Sequence, residues 1–262
     1  MRHIVAISGG KDSAALALYM RSRLEKVEYV FADTGAELPE IYDFLDKMSE
    51  QLGQEIVRLT DTTKKFREEN PGVERTLPYY IERWDMLPSV SDRFCTKHNK
   101  IRPLERYVKQ ENGGPPATMY IGFRADEQGR KGNYGLDADV IYKYPFVEDG
   151  IDFAGVMAIL KQNNIELPDF YKWRTTGGCY FCPFQRRSDW MGLKRNHPDL
   201  FAEAKRLEQV HGHGTFTWNQ LYSLEELEAQ RELVNADGSP LEIEERDLDE
   251  FEDQMPCAIC AK

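Results

Sequence analysis

The sequence predicts an α/β protein: a doubly wound parallel sheet followed by a helical, cysteine-bearing extension. Three observations carry this. Short β-branched or aromatic runs alternate with helical patterns through the first half of the chain. Glycine-rich or polar loops follow the strand patterns, at the carboxyl ends where open α/β sheets bind ligands. Beyond residue 165 the strand patterns give way to helical ones and to most of the cysteines. The reading divides the 262 residues into an α/β domain at 1–165 and a cysteine-containing region at 166–262 packed on it.

The first strand pattern is the apolar run Ile4–Ile7, which stops at Ser8-Gly9-Gly10. A helical pattern from about Ser13 to residue 25 follows, rich in alanine and leucine, with Ser13 placed to cap it. Strand, glycine turn and helix together bring backbone amides and a helix dipole to one point, where an anion is favoured. Lys11 adds a charge, and Ser8 and Ser13 add hydroxyl donors. The alternative is a glycine turn with no ligand. The common nucleotide P-loop spacing fails, because Asp12 rather than Ser or Thr follows Lys11.

Residues 27–32 form the second strand pattern, ending in Asp33-Thr34-Gly35. Pro39 opens a helix that continues past Met48, and residues 55–59 form the third strand. Asp33 reads either as a carboxylate for a ribose hydroxyl, an adenine amine or a metal, or as the side chain of an Asx turn. Residues 60–92 are irregular and aromatic, an excursion over the strand ends. The next stretch, Arg93-Phe94-Cys95-Thr96-Lys97-His98-Asn99-Lys100-Ile101-Arg102, is basic. Lys97, Lys100 and Arg102 suit phosphate or nucleic-acid binding, with a solvated helix face as the alternative. His98 reads as a surface histidine or a metal ligand.

Residues 117–122 form a fourth strand, running into Phe123-Arg124-Ala125-Asp126-Glu127. Arg124 and Arg130 suit phosphate or sulfate, with ion pairing to Asp126 and Glu127 as the alternative. Residues 140–147 read as a further strand, 151–162 as a helix capped near Asp152, and 197–235 as helical around a Trp218-Asn219 loop. His211 and His213, flanked by glycines, read as a turn rather than a metal pair, and the acidic stretch 241–254 as a solvated linker or helix.

The net charge of -11 argues against a surface generally coated by nucleic acid, although the middle of the chain is locally basic. No apolar run is long enough for a membrane span, and the first strand begins at once, so the expected location is the cytoplasm with no membrane partner. All five cysteines except Cys95 lie in two Cys-x-x-Cys pairs, Cys179/Cys182 and Cys257/Cys260. In a cytosolic enzyme that usage points to metal or redox chemistry. A [4Fe-4S] cluster on four of the five, zinc on the two pairs, persulfide carriage and buried unliganded thiols are the competing readings.

Ser8-Gly9-Gly10-Lys11-Asp12-Ser13 resembles the PP-loop of the adenine-nucleotide alpha-hydrolase superfamily, which includes ATP pyrophosphatases and sulfonucleotide (PAPS/APS) reductases. Asp33-Thr34-Gly35 followed by Pro39-Glu40, the Cys95-Thr96 to Pro103-Leu104 segment, and Gly122-Phe123-Arg124-Ala125-Asp126-Glu127 are similar to further segments of that group. The resemblance covers roughly residues 3–190. It implies a Rossmann-like sheet with adenine nucleotide, ATP or PAPS/APS, on Ser8, Gly9, Gly10, Lys11, Asp12, Ser13, Asp33, Thr34, Gly35 and Arg124. The catalytic set it implies is Lys11, Asp12, Ser13 and Arg124, with Mg2+ on the leaving group. The reaction it implies is ATP cleavage to AMP and pyrophosphate by adenylation of an acceptor. Sulfur transfer would follow, with a nucleic acid as acceptor and a separate sulfur-donor protein. The resemblance also favours the iron–sulfur cluster over Zn2+. One departure is Phe94, where iron–sulfur APS reductases have a second cysteine. Another is Met-Pro-Cys-Ala-Ile-Cys at 255–260, in place of the reductases' C-terminal Glu-Cys-Gly-Ile-His. A sulfonucleotide reductase and a non-catalytic nucleotide-sensing module are the alternatives.

Overall fold

In the computed structural model, the described residues are 1–89, 92–113, 116–127, 140–175, 177–209, 217–219 and 222–229. The elements are β1 (Arg2–Ala6), α1 (Lys11–Arg21), β2 (Glu28–Ala32), α2 (Pro39–Leu52), β3 (Ile56–Leu59), α3 (Lys64–Glu69), α4 (Leu77–Trp84), α5 (Arg102–Gly113), β4 (Ala117–Tyr120), β5 (Val140–Lys143), α6 (Pro145–Glu148), α7 (Phe153–Gln162), α8 (Arg187–Asn196), α9 (Pro198–Gln209) and α10 (Leu224–Ala229). A π-helical turn, Thr96–Ile101, leads into α5, and a 3-10 turn, Asp169–Lys172, precedes the cysteine turn.

The strands form one parallel sheet in the order β3-β2-β1-β4-β5. The order reverses between β1 and β4, the switch point where a crevice opens above the carboxyl ends. Both faces are covered, so successive strand residues enter different cores. Val5, Tyr29 and Phe31 join the core of α1, α2 and α7, whereas Ile4, Val30 and Met119 join Leu104 and Val108 of α5. This is the expected doubly wound sheet, and strands buried on both faces explain the near-continuous apolar runs. Among the described residues, no helix is long and apolar enough to cross a membrane.

Several local expectations are corrected. The first helix begins at Lys11 with Gly10 at its N-cap, so Ser13 does not cap it. The Ser13 hydroxyl lies inside the loop, accepting from the Ser8 amide at 3.0 Å and donating to the Gly10 carbonyl at 3.0 Å. Residues 60–92 contain α3 and α4, capped by Thr63 and Thr76. Both helices are short, with too few turns to display a period, and α4 also holds Pro78 and three aromatic residues. Only Val140–Lys143 of the 140–147 stretch is strand, because Pro145 starts α6. Asp152 does cap α7, accepting from the Gly155 amide at 2.9 Å. Residues 210–216, which include His211 and His213, and residues 230–262, which include the acidic stretch and Cys257 and Cys260, lie outside the described residues, as does Arg130.

Candidate functional site

The loop after β1 is held by its own hydroxyls and by the neighbouring helix. Ser8 and Ser13 Oγ are 3.1 Å apart, which ties the two ends of the loop together. Gly9 has φ +78°, and a Cβ there would stand 2.5 Å from Ile41 Cγ2 of α2, so both conformation and space demand glycine.

Lys11 and Arg124 converge beside this loop from the two strands that flank the switch point. Both are fully buried. Lys11 Nζ is 3.8 Å from Asp12 Oδ2, and Arg124 Nη1 is 3.7 Å from Asp12 Oδ1. Arg124 Nε also donates to Asp126 Oδ1 at 3.0 Å, and its backbone amide donates to Glu127. The Phe153 ring at the start of α7 lies 5.6 Å from Lys11 Nζ and 5.3 Å from Arg124 Cζ. Arg124 is therefore a buried cation in the crevice, with its guanidinium oriented by Asp126, and not part of a surface ion pair. Lys11 and Arg124 share Asp12, and Arg124 is held by Asp126 as well; with the loop amides at the helix start, they are groups that an anion can engage.

The region after residue 165 closes over the same place. The Tyr171 hydroxyl accepts from the Lys11 amide at 3.1 Å, and its ring lies 5.6 Å from Lys11 Nζ. A Cβ on Gly177 would sit 3.5 Å from Gly10 Cα. Tyr171 was not legible as a site residue, because nothing near it in sequence signals a loop 160 residues away.

Asp33, Thr34 and Gly35 lie at the carboxyl end of β2. Asp33 Oδ1 accepts from the Gly35 amide and from the Tyr42 hydroxyl, each at 2.8 Å, so the side chain makes an Asx turn. Gly35, at φ +67°, abuts Thr76, where a Cβ would overlap the methyl group. The Thr34 hydroxyl donates to Glu37 Oε1 at 2.8 Å and is 3.2 Å from Cys179 Sγ. Cys179 Sγ is 3.7 Å from Glu37 Oε1, and a β-bridge joins Glu37 to Cys179. Both side chains are buried. Burial pushes the Glu37 carboxyl up, against the pull of Lys100. Burial, then the Glu37 charge, push the Cys179 thiol well up. The buried Arg174 fixes the turn by donating to the Cys179 and Gly178 carbonyls at 2.7 and 3.3 Å.

The structure thus brings together the loop, Arg124, Asp33-Thr34-Gly35 and Cys179 along one edge of the sheet. Cys182, three residues further on, is half-buried. The Cys95 segment is drawn to the same turn, with Arg93 over the Phe184 ring at 5.4 Å. Among the described residues, no three His, Cys, Asp or Glu side chains are grouped to hold a metal ion. Cys95, Cys179 and Cys182 do not make a four-thiolate donor set, and Cys257 and Cys260 lie outside the described residues. His98 Nδ1 takes a hydrogen bond from Arg102 at 2.7 Å.

Comparison with known proteins adds the following. The phosphoadenosine phosphosulfate reductase domain family matches residues 2–137. An uncharacterized protein of Methanocaldococcus jannaschii is 25% identical over 201 residues, covering 75% of this chain and 45% of that one. A phosphoadenosine 5'-phosphosulfate reductase of Cronobacter sakazakii is 23% identical over 149 residues, covering 55% of this chain and 56% of that one. The chain spans about half the length of these curated relatives. A crystal structure of PAPS reductase from Candida auris, a phosphate complex, is 19% identical with a TM-score of 0.48, covering 64% of this chain and 76% of that one.

Proposed function

The chain belongs to the phosphoadenosine phosphosulfate reductase domain family, and from that premise we propose that it is an adenylating ATP pyrophosphatase that prepares an acceptor for sulfur transfer. The observation that carries this reading is the convergence of the Ser8–Ser13 loop with two buried cations, Lys11 and Arg124, at the switch point of the sheet.

In this reading the β and γ phosphates of ATP lie on the loop amides, Lys11 and Ser13. An acceptor oxygen attacks the α-phosphorus, the bond to the bridging oxygen breaks, and pyrophosphate leaves. Arg124 lies where charge develops, with its fork held by Asp126. Lys11, desolvated beneath the loop, stabilises the leaving group without reorganising. Asp33-Thr34-Gly35 faces the nucleoside. Magnesium supplies charge neutralisation on pyrophosphate when it is bound. Asp12 is the carboxylate that would hold it: among the described residues its buried Oδ1 accepts no hydrogen bond, Arg124 Nη1 standing off at 3.7 Å, and the ion ordinarily takes its other ligands from phosphates and water. A sulfur nucleophile from a donor protein then displaces AMP.

The cluster expected from the cysteines needs at least one ligand from Cys257 or Cys260, and no step is derived through it. Anaerobic protein with a broad absorbance near about 400 nm supports a thiolate-bound cluster; a colourless protein containing zinc removes it.

The test uses ATP labelled at the α-phosphate with candidate acceptors. AMP and pyrophosphate release is expected to be lost in Lys11→Ala and strongly reduced in Ser13→Ala. Release that survives both substitutions would overturn the reading. A second reading, sulfonucleotide reduction, is favoured by the name of the Cronobacter relative. Sulfite release from PAPS or APS with a thioredoxin system would establish it, and inactivity on both nucleotides would exclude it.

A further inference from the structure

The basic stretch that includes Lys97 and Arg102 takes no part in the chemistry proposed above. It folds into the π-helical turn Thr96–Ile101 and the start of α5, and packs on α4. Its centre is an aromatic stack. Trp84 lies 4.6 Å from Tyr80, 4.7 Å from His98 and 5.2 Å from Phe94, measured between ring centroids. Yet Trp84 remains 38% exposed, one of five exposed large apolar side chains among the described residues. The three rings meet Trp84 at edge-to-face or tilted angles, and the rest of the indole is open to solvent, an aromatic available for recognition.

A cation lies beside this cluster: Arg102 donates to His98 Nδ1 at 2.7 Å. Burial, then Arg102, push the His98 imidazole down, with smaller contributions from Lys97 and Arg75 and against the pull of Asp61. Lys97 and Arg102 are exposed. Of the nearby carboxylates, Asp61 is engaged by Arg106 at 2.6 Å and by the Tyr80 hydroxyl, and Glu82 by Arg206 at 2.8 Å, while Asp85, next to Trp84, and Asp92 are exposed. On a chain of net charge -11, this is a local cationic face.

Its position relates it to the strand-end site. Asp61 lies just past β3, the edge strand, so the stack stands at the carboxyl end of β3 beside Asp33-Thr34-Gly35. The phosphate loop follows β1, which lies two strands from β3, about 10 Å at the ordinary strand spacing. Lys100 of the same turn acts electrostatically on Glu37 and Cys179. The turn Thr96–Ile101 thus carries His98 against the rings and Lys100 within electrostatic reach of the strand-end site.

We propose that Trp84 and the nearby cations, Lys97 and Arg102 foremost, form a docking surface for single-stranded nucleic acid, which enters the nucleotide site from the β3 edge. The indole stacks on an unpaired base, and the cations follow the phosphates. A duplex, whose bases are already stacked, lacks the face that Trp84 takes. A merely anionic partner would use the cations but leave the indole idle. The proposal rests on the adenylating reading for its purpose, because it names the acceptor class of that site, but the binding can be measured apart from it.

The experiment is fluorescence anisotropy of the full chain with a labelled single strand of about twelve nucleotides at low ionic strength. Arms with RNA, DNA, duplex and inorganic polyphosphate accompany it. Wild type is expected to prefer single strands. Trp84→Ala should weaken binding about tenfold or more, and Trp84→Phe should retain most of it. The pair Lys97→Gln and Arg102→Gln, both exposed, should weaken binding and lower its salt slope by about one unit. If wild type binds no single strand, or if folded Trp84→Ala binds as tightly as wild type, the proposal falls. Competition by polyphosphate equal to that of the strand also counts against it. Lys11→Ala should lose ATP cleavage and keep strand binding, so failure of the chemistry and failure of the surface are separate results.

Discussion

At Gly9 two local constraints meet, a left-handed backbone at φ +78° and Ile41 Cγ2 only 2.5 Å from where a Cβ would stand. Gly9→Ala is expected to destabilise the protein by about 2–4 kcal/mol, combining left-handed strain with overpacking. Urea unfolding measures it, and a loss under about 0.5 kcal/mol would show that α2 yields without cost. Arg124→Lys is the complementary change, since it keeps the charge but removes the fork that Asp126 orients. ATP affinity is expected to fall about tenfold or more with little change in stability, read by calorimetric titration. The sequence made Gly9, Lys11 and Arg124 legible because each lies within a few residues of a strand end. It did not reveal that Arg124 is buried, because its neighbours Asp126 and Glu127 suggest a surface ion pair equally well.

Among the helices, α9 and α10 are joined by one carboxylate. Glu208 accepts from the Trp218 amide at 2.9 Å and from the Leu224 amide at 2.7 Å, one on each oxygen. Burial pushes its pKa above the ordinary 4.5, more than these two donors pull it down. Ionised Glu208 is therefore penalised in the folded state. Its contribution to stability is greatest below pH 4.5 and declines as pH rises through the raised pKa. Glutamine keeps one acceptor and puts a donor against the second amide. Glu208→Gln should cost about 1–3 kcal/mol, and the cost should be larger at pH 4 than at pH 7. Thermal unfolding of both proteins across that range gives the difference directly; a cost that grows with pH would reverse the sign assigned here. Helices with long apolar periods, such as α2, were legible. The short α3 and α4 were not, because six- and eight-residue segments hold too few turns to display a period.

For the whole molecule, one hydrophobic core contains Leu16, Phe44, Phe170, Phe181, Trp190 and Trp218, drawn from both sides of residue 165. Such a shared core should unfold as one unit. Tryptophan emission, which reports largely on residues beyond 165, and far-ultraviolet circular dichroism are expected to give coincident urea transitions. Separated transitions would instead support 1–165 and 166–262 as independent domains.

The order of strands, loops and helices was determined by the sequence itself, because hydrophobic period, glycine placement and proline position act over a few residues. That places Ser8–Ser13, Asp33-Thr34-Gly35 and Arg124 at strand ends. Only the tertiary structure decided what meets them. The Tyr171 hydroxyl reaches the Lys11 amide, Cys179 enters the pocket of Thr34 and Glu37, and Trp84 stands open beside His98. The first two contacts join residues more than a hundred positions apart. They follow from the β3-β2-β1-β4-β5 order and from packing of the later helices on α1, which no short window of sequence encodes.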